Sequence, residues 1–289
     1  MKHIIIDTDI FGDPDDAIAL AYALSSSEIK IHAIITNDEY RGNHRAKLLV
    51  RWLASKDINV PVFSGYDLGN KNLFLLERYV PKSGNPPSLF QSPNLQKIIT
   101  TVAQFRGQYV AIGGLSNLNY LYAKYPDPMK CIQVVIMGGA IQNYKPGFAE
   151  HNIRLDIQAA SSVFHAKVKT QWILSDLTFQ PRFRISFTHP VYEYFANSET
   201  FFHQLVRTNM DEFYKNKYPE SYLHDPITIS SLLLSTVKYE KKKILFSSVG
   251  EFIPDQKGKI ITISTAIDAD LFWSDLNKKL GITSKHIIQ

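Results

Sequence analysis

The chain has 289 residues, 45% hydrophobic and 20% charged, with a formal net charge of +5. That balance belongs to a globular protein and excludes disordered, collagen-like and strongly basic nucleic-acid-binding classes. The single cysteine, Cys131, rules out an intrachain disulfide and a cysteine-built zinc cluster, and is expected to be a small buried hydrophobe.

The first element is the β-branched run Ile4–Ile6, which reads as a strand buried on both faces. It leads into Asp7, Asp9, Asp13, Asp15 and Asp16, five carboxylates within ten residues. Asp13-Pro14 is expected to start a helix, with Asp13 as N-cap and Pro14 at the first helical position. Ala17–Leu24 continues that helix with apolar side chains nearly all round, and Ser25-Ser26-Ser27 ends it. Ile29–Thr36 is a second strand ending in Asn37-Asp38-Glu39. Asn43 is placed to cap a helix in which Leu48, Leu49, Trp52 and Leu53 recur at helical spacing. Val60–Phe63 is a short third strand, and the alternation predicts a parallel sheet with right-handed crossovers.

Residues 66–100 hold Pro81, Pro86, Pro87 and Pro93 with little periodicity and read as a long functional excursion. Tyr109–Ile112 is a strand running into Gly113-Gly114-Leu115-Ser116-Asn117, and Val134–Met137 is another, stopped by Gly138-Gly139. Glycines at successive strand ends let a ligand or another backbone approach closely. Then come Glu150-His151-Asn152, a helix over about 157–167, and the strand Trp172–Leu174. Residues 182–240 read as mainly helical and contain Tyr222-Leu223-His224-Asp225. Strand character is expected over 243–267, and a last short helix over 274–280, closed by Gly281. Lys241-Lys242-Lys243 reads as a solvated face. The whole is expected to be a single domain, 1–289, of the α/β class, with a mainly parallel, Rossmann-like sheet flanked by helices.

Acidic residues in a first helical turn suit the macrodipole and the orphan N–H groups. Capping does not account for Asp7 and Asp9, which sit at the carboxyl end of a strand, where open α/β sheets bind ligands. Five crowded carboxylates are tolerable around a hard divalent cation, which prefers oxygen ligands.

In this order the pieces resemble the nucleoside hydrolases, calcium-dependent enzymes that cleave ribonucleosides to ribose and base. The acidic start is similar to that family's D-x-D…D-D motif, and Gly113–Asn117 to its G-P-L-T-N segment. Val135–Ala140 is similar to its I-V-M-G-G-A strand end, Glu150-His151-Asn152 to its E-F-N motif, and His224-Asp225 to its late H-D pair. The resemblance implies the nucleoside hydrolase fold and a Ca²⁺ held by Asp9, Asp16, Asp225 and the carbonyl of Ser116. Asp9 would also be the general base, toward water activated by the cation as the nucleophile. It implies substrate contacts from Asp15, Asn37, Met137, Glu150 and Asn152, with Asp7 behind them and His224 as acid for the leaving base. The chain departs from the family in placing Ile10–Pro14 between the D-x-D and the D-D, two residues more than usual. A family Asn between the G-G-A and E-x-N motifs has Asn143 or Tyr144 as its nearest counterpart.

The chemistry fits these residue types. An N-glycosidic bond breaks through an oxocarbenium-like sugar, by analogy with O-glycosides. Carboxylates favour that charge, and a histidine titrating near neutrality suits the departing base. The expected role is nucleoside catabolism and purine or pyrimidine salvage. The rivals are a haloacid-dehalogenase-type phosphatase, which also opens on a strand and D-x-D, and a non-catalytic ribose or nucleoside sensor. No apolar run spans a membrane, and Met1-Lys2-His3 with three isoleucines is too short for a signal peptide. A cytoplasmic homo-oligomer, dimer or tetramer, without nucleic-acid or membrane partners is expected.

Overall fold

The computed structural model describes residues 1–70, 73–142 and 145–282. Its strands are β1 (Lys2–Thr8), β2 (Ile29–Thr36), β3 (Val62–Ser64), β4 (Gln108–Ala111), β5 (Gln133–Met137) and β6 (Thr170–Ile173), then β7 (Arg184–Ile185), β8 (Ser221–Tyr222), β9 (Val237–Phe246), β10 (Phe252–Pro254) and β11 (Lys259–Ile267). The helices are α1 (Asp15–Leu24), α2 (His44–Ala54), α3 (Pro93–Gln104), α4 (Ser116–Lys124), α5 (Pro126–Cys131) and α6 (His151–Leu155), then α7 (Ile157–His165), α8 (Ser175–Thr178), α9 (Pro190–Ala196), α10 (Phe201–Asn216), α11 (His224–Leu233) and α12 (Ala269–Leu280).

Among the described residues, nine strands form one sheet in the order β10-β9-β11-β6-β5-β4-β1-β2-β3. From β3 to β11 neighbours run parallel, and only β9 and β10 add an antiparallel edge. The predicted α/β class and mainly parallel central sheet are therefore observed. The chain winds from β1 outward through β2 and β3, then returns to β4 and winds the other way. That reversal puts a switch point between β1 and β4, where a crevice opens outside the carboxyl ends of the strands.

The sheet is covered on both faces because β1 alternates between two apolar layers. Ile4 and Ile6 pack with residues of α1, α2, α10, α11 and α12. Ile5 packs on the opposite face with α3, α4, α5 and α7.

Several expectations are corrected. The excursion over 66–100 is not wholly irregular, since α3 begins at Pro93, its proline at the first helical turn. β9 begins at Val237, inside the stretch expected to be helical, and the last helix begins at Ala269, with Asp268 accepting from the N–H of Leu271. Asn43 precedes α2 but makes no side-chain cap, because its backbone is left-handed (φ 71°). Cys131 is exposed rather than buried, at the carboxyl end of the short α5. Lys241, Lys242 and Lys243 are exposed on β9, as read from the sequence. No helix of the described residues is long and apolar enough to cross a membrane.

Candidate active site

At the switch point a cavity of about 560 Å³ is lined by Asp9, Asp13, Asp15, Asp16, Met137, Glu150, Asn152, His224 and Asp225, among others. Its size suits a small-molecule ligand. A second hollow of about 600 Å³, beside α2 and α3, has four prolines and no carboxylate or histidine among its lining residues. The chemistry lies in the first.

The carboxylate floor forms because two helix starts meet. Asp15 and Asp16 open α1, Asp225 stands in the first turn of α11, and the two helices pack together. Oxygens of Asp15, Asp16 and Asp225 lie within 4.8 Å of one another, all buried. The N–H of Asp225 donates to Asp15 Oδ2 at 3.2 Å, and the Thr8 hydroxyl donates to Asp16 Oδ1. Asp9 follows the end of β1 and opens onto the same cavity, 8% exposed. A Cβ on Gly113, at the end of β4, would stand 2.8 Å from Asp9 Oδ1, so glycine makes that approach possible.

Two positive helix ends at the floor offset part of this anionic crowding. They do not offset all of it. Burial, and then mutual repulsion, pushes Asp15, Asp16 and Asp225 well above the usual carboxylate range. No Lys or Arg side chain comes within 4.0 Å of these three carboxylates among the described residues. Oxygen-only donors, buried, close together and without a Lys or Arg in ion-pair contact, fit a hard divalent cation.

The other candidates fall in different places. Glu150 caps α6, accepting from the N–H groups of Asn152 and Ile153 and, at 3.1 Å, from Gly139. Asn152 donates to the Met137 carbonyl at 3.1 Å, which sets both side chains at the cavity wall. Asn37 is not brought to the cavity. Its amide donates to the Gly114 carbonyl and accepts from the N–H of Asp38, tying the end of β2 to the loop after β4. Ser116 is not among the lining residues either, and its hydroxyl donates to Asp156 at 2.7 Å. Asp7 accepts from Tyr109 and Asn117 away from the cavity, and burial raises its pKa to about 7. Asp13 is not the N-cap of α1: the helix begins at Asp15, and Asp13 accepts from the Ser221 hydroxyl. The longer loop carries Asp13 across to β8. Asn143 and Tyr144 lie outside the described residues.

His224 lies beside the floor, its Nδ1 2.6 Å from the Thr178 hydroxyl and its ring parallel to Phe179. Burial, with His151 nearby, pulls its pKa down to about 4. His151 has no assigned role in the sequence reading, yet its Nε2 faces Asp9 Oδ2 at 3.9 Å. Burial works against charge on this ring, but the Asp9 carboxylate outweighs it and leaves the pKa raised. Its position inside the E-x-N segment was the available signal. Asn70 and Phe213 also line the cavity, brought in by the excursion and by α10, and no local pattern marks either.

The family model for inosine-uridine preferring nucleoside hydrolases matches residues 4–274. The pyrimidine-specific ribonucleoside hydrolases RihA of Klebsiella pneumoniae and Salmonella enteritidis are each 29% identical, over 92% of this chain and 88% of theirs. Among solved structures, the plant nucleoside hydrolase PpNRh1 superposes with a TM-score of 0.75 at 22% identity, covering 96% of this chain and 98% of its own. The inosine-uridine preferring nucleoside hydrolase of Bacillus anthracis does so with a TM-score of 0.74 at 16% identity, over 98% and 100%. The switch-point cavity, the carboxylate floor and the match along nearly the whole chain agree, and the protein belongs to the inosine-uridine preferring nucleoside hydrolase family of N-glycosidases.

Proposed function

We propose that this chain, acting as one domain, hydrolyses the N-glycosidic bond of ribonucleosides to ribose and free base, with calcium at the carboxylate floor. The observation that carries the reading is the cluster of Asp15, Asp16 and Asp225, buried and with no Lys or Arg side chain within 4.0 Å among the described residues, at the switch point of a family member. Asp9, Asp16 and Asp225, which line the cavity, would hold the ion, and the Ser116 carbonyl, outside that lining, is added on the motif resemblance alone. When bound, a divalent cation supplies Lewis acidity toward water and a template for vicinal hydroxyls.

The chain's own groups supply the rest. Asp9 takes the proton of the attacking water, as a carboxylate at the cavity floor can. Asp15 accepts from a ribose hydroxyl. Glu150 does the same at the far edge, since a carboxylate already bonded to N–H groups keeps further lone pairs. Asn152 has its oxygen free of the Met137 contact, and Met137 gives the sugar an apolar wall. Asn37 is left out of the sugar contacts because it does not line the cavity, its amide tying β2 to the loop after β4 instead. The ionised floor favours the positive charge that develops on the sugar ring. His224, flanked by Phe179 and Tyr222, would deliver a proton to the departing base; because burial holds the free ring neutral, it has to gain that proton in the substrate complex, beside the anionic floor.

The test is ribose release from a panel of ribonucleosides with and without a calcium chelator. Uridine and cytidine come first, because the RihA relatives are pyrimidine-specific by name. Turnover that chelation removes and calcium restores supports the reading. Full turnover in metal-stripped protein would overturn the calcium assignment, and no ribose from any ribonucleoside would overturn the activity.

A further inference from the structure

Arg45, in the first turn of α2, is among the largest side chains with no exposure. A buried guanidinium carries five N–H donors, each of which needs an acceptor. Nη1 donates to both the Asp9 and the Ile10 carbonyls. Nε donates to the Asp38 carbonyl at 2.8 Å. Nη2 donates to the Leu73 carbonyl at 3.3 Å and lies 3.6 Å from the Asp38 carboxylate. Four main-chain carbonyls from three segments thus meet on one planar fork.

The turn it holds is not one the backbone would keep unaided. Phe11 sits in the left-handed region, φ 74°, although it is neither glycine nor asparagine. Such a residue persists only where its surroundings over-determine it. The Phe11 carbonyl accepts from Leu75 N–H at 3.0 Å, and Asn209 donates to the Gly12 carbonyl at 2.9 Å. A Cβ on Gly12 would meet the Leu73 carbonyl at 2.6 Å, so the 73–75 wall lies directly on the turn. Asn70, on that same wall, donates to Asp38 at 3.0 Å.

We infer that Arg45 is a positioning residue, which fixes Asp9 for cation binding by clamping the Asp9–Ile10 main chain and locking it to the cavity wall at Asn70, Leu73 and Leu75. The inference rests on the reading of Asp9 as a metal ligand. Arg45 touches no substrate or ion itself. It acts through the carbonyl next to the ligating side chain, as outer partners of metal ligands do. A lysine cannot replace it, because three donors on one point cannot span four carbonyls.

The experiment is calorimetric titration of calcium into metal-stripped wild type, Arg45→Lys, Asp38→Asn and Asp9→Ala. Each is titrated well below its own melting temperature. Ile263→Ala, in the opposite core layer on β11, serves as a control for destabilisation alone. Arg45→Lys should weaken calcium binding about 10–100-fold, the range for outer partners of metal ligands. Asp38→Asn, which keeps the shape but loosens the guanidinium, should shift affinity the same way by less. Ile263→Ala should leave it within twofold. If Arg45→Lys does not fold, Asp38→Asn decides. Affinity within twofold of wild type in the folded Arg45 or Asp38 variant, while Asp9→Ala loses binding, would overturn the inference alone. Absence of calcium binding by wild type, or full affinity in Asp9→Ala, would overturn the metal reading and the inference together.

Discussion

Two groups of buried charge meet the turn after β1, and they are settled in opposite ways. Arg45, Asp38 and Glu39 pair opposite charges and bond to the backbone around them: the guanidinium lies 3.6 Å from Asp38 Oδ2, which it faces without a hydrogen bond, and Glu39 accepts from the N–H of Arg45 at 3.1 Å and from the Thr36 hydroxyl. Asp15, Asp16 and Asp225 are equally buried but have no Lys or Arg within 4.0 Å among the described residues. They repel one another and Asp9 and Asp13, and two helix ends, a few N–H and O–H donors and the more distant Arg45, acting on Asp16, offset only part of that. The first cluster is closed and belongs to the scaffold. The second is open in charge, and burial of uncompensated like charge marks a site that binds something. Both kinds of burial serve one task, since the closed cluster holds the turn that presents Asp9 to the open one.

The sharpest way to break this contrast is to remove one charge from the open cluster. Asp16→Asn keeps an acceptor for Thr8 while deleting a like charge. It should abolish nearly all ribonucleoside turnover and calcium binding, yet raise the melting temperature of the metal-free protein. Asp9→Ala should likewise leave a folded, nearly inactive protein. Arg45→Lys, in the closed cluster, should lower the melting temperature instead. Scanning calorimetry of the three metal-free variants separates the outcomes, and a lower melting temperature for Asp16→Asn would show the floor to be closed after all.

The next effect in size concerns His224. Loss of a general acid costs about 10²–10⁴-fold in rate. His224→Ala should slow natural nucleosides within that range while sparing p-nitrophenyl riboside, whose leaving group is a stable anion. Both rates are taken at saturating calcium, because Asp225 adjoins the histidine. Equal losses on the two substrates would remove His224 from the acid role.

A smaller effect is expected from pH. Burial raises Asp7 and Glu39 to about 7 and Asp13 to about 6. A carboxyl raised by folding binds its proton more tightly in the native chain. Its contribution is therefore fully present below the unfolded value of about 4 and lost as pH rises through the folded one. From about pH 7.5 to 9 the histidines of the unfolded chain are already largely neutral. Over that window the metal-free protein should lose stability with rising pH, on the order of a few kcal/mol at most. Saturating calcium should reduce the loss, since it binds the ionised floor. Urea denaturation at several pH values, with and without calcium, measures this; a rise in metal-free stability across the window would contradict it.

The smallest effect tests the loop between the two clusters. Asp13 accepts from Ser221 and lines the cavity without belonging to the closest carboxylate group. Asp13→Asn should keep that hydrogen bond and most of the calcium affinity, whereas Asp13→Ala should cost about 1 kcal/mol, the scale of one buried hydrogen bond. Calcium affinity lost in Asp13→Asn as fully as in Asp16→Asn would make Asp13 a ligand.

The sequence by itself determined the parallel sheet and the acidic floor. Ile4–Ile6, Ile29–Thr36 and Val134–Met137 are β-branched runs whose burial on two faces needs no partner to be named. Asp9, Asp15 and Asp16 sit at a strand end and a helix start that are local in the chain, so their meeting follows from the β1–α1 connection alone. Motif order then brought in Asp225 and His224 from more than two hundred residues away, although no local pattern relates them to β1. Only the tertiary structure decided the rest. It spent Asn37 on Gly114 and Asp38, sent Asp13 to Ser221 and turned His151 toward Asp9. It also buried Arg45 against carbonyls of three separate segments. Each of these is a hydrogen bond between segments distant in sequence, and the choice of partner depends on which loops the packed helices bring together. A single charged residue at the start of an amphipathic helix reads as solvent-facing until the neighbouring carbonyls that require it are in place.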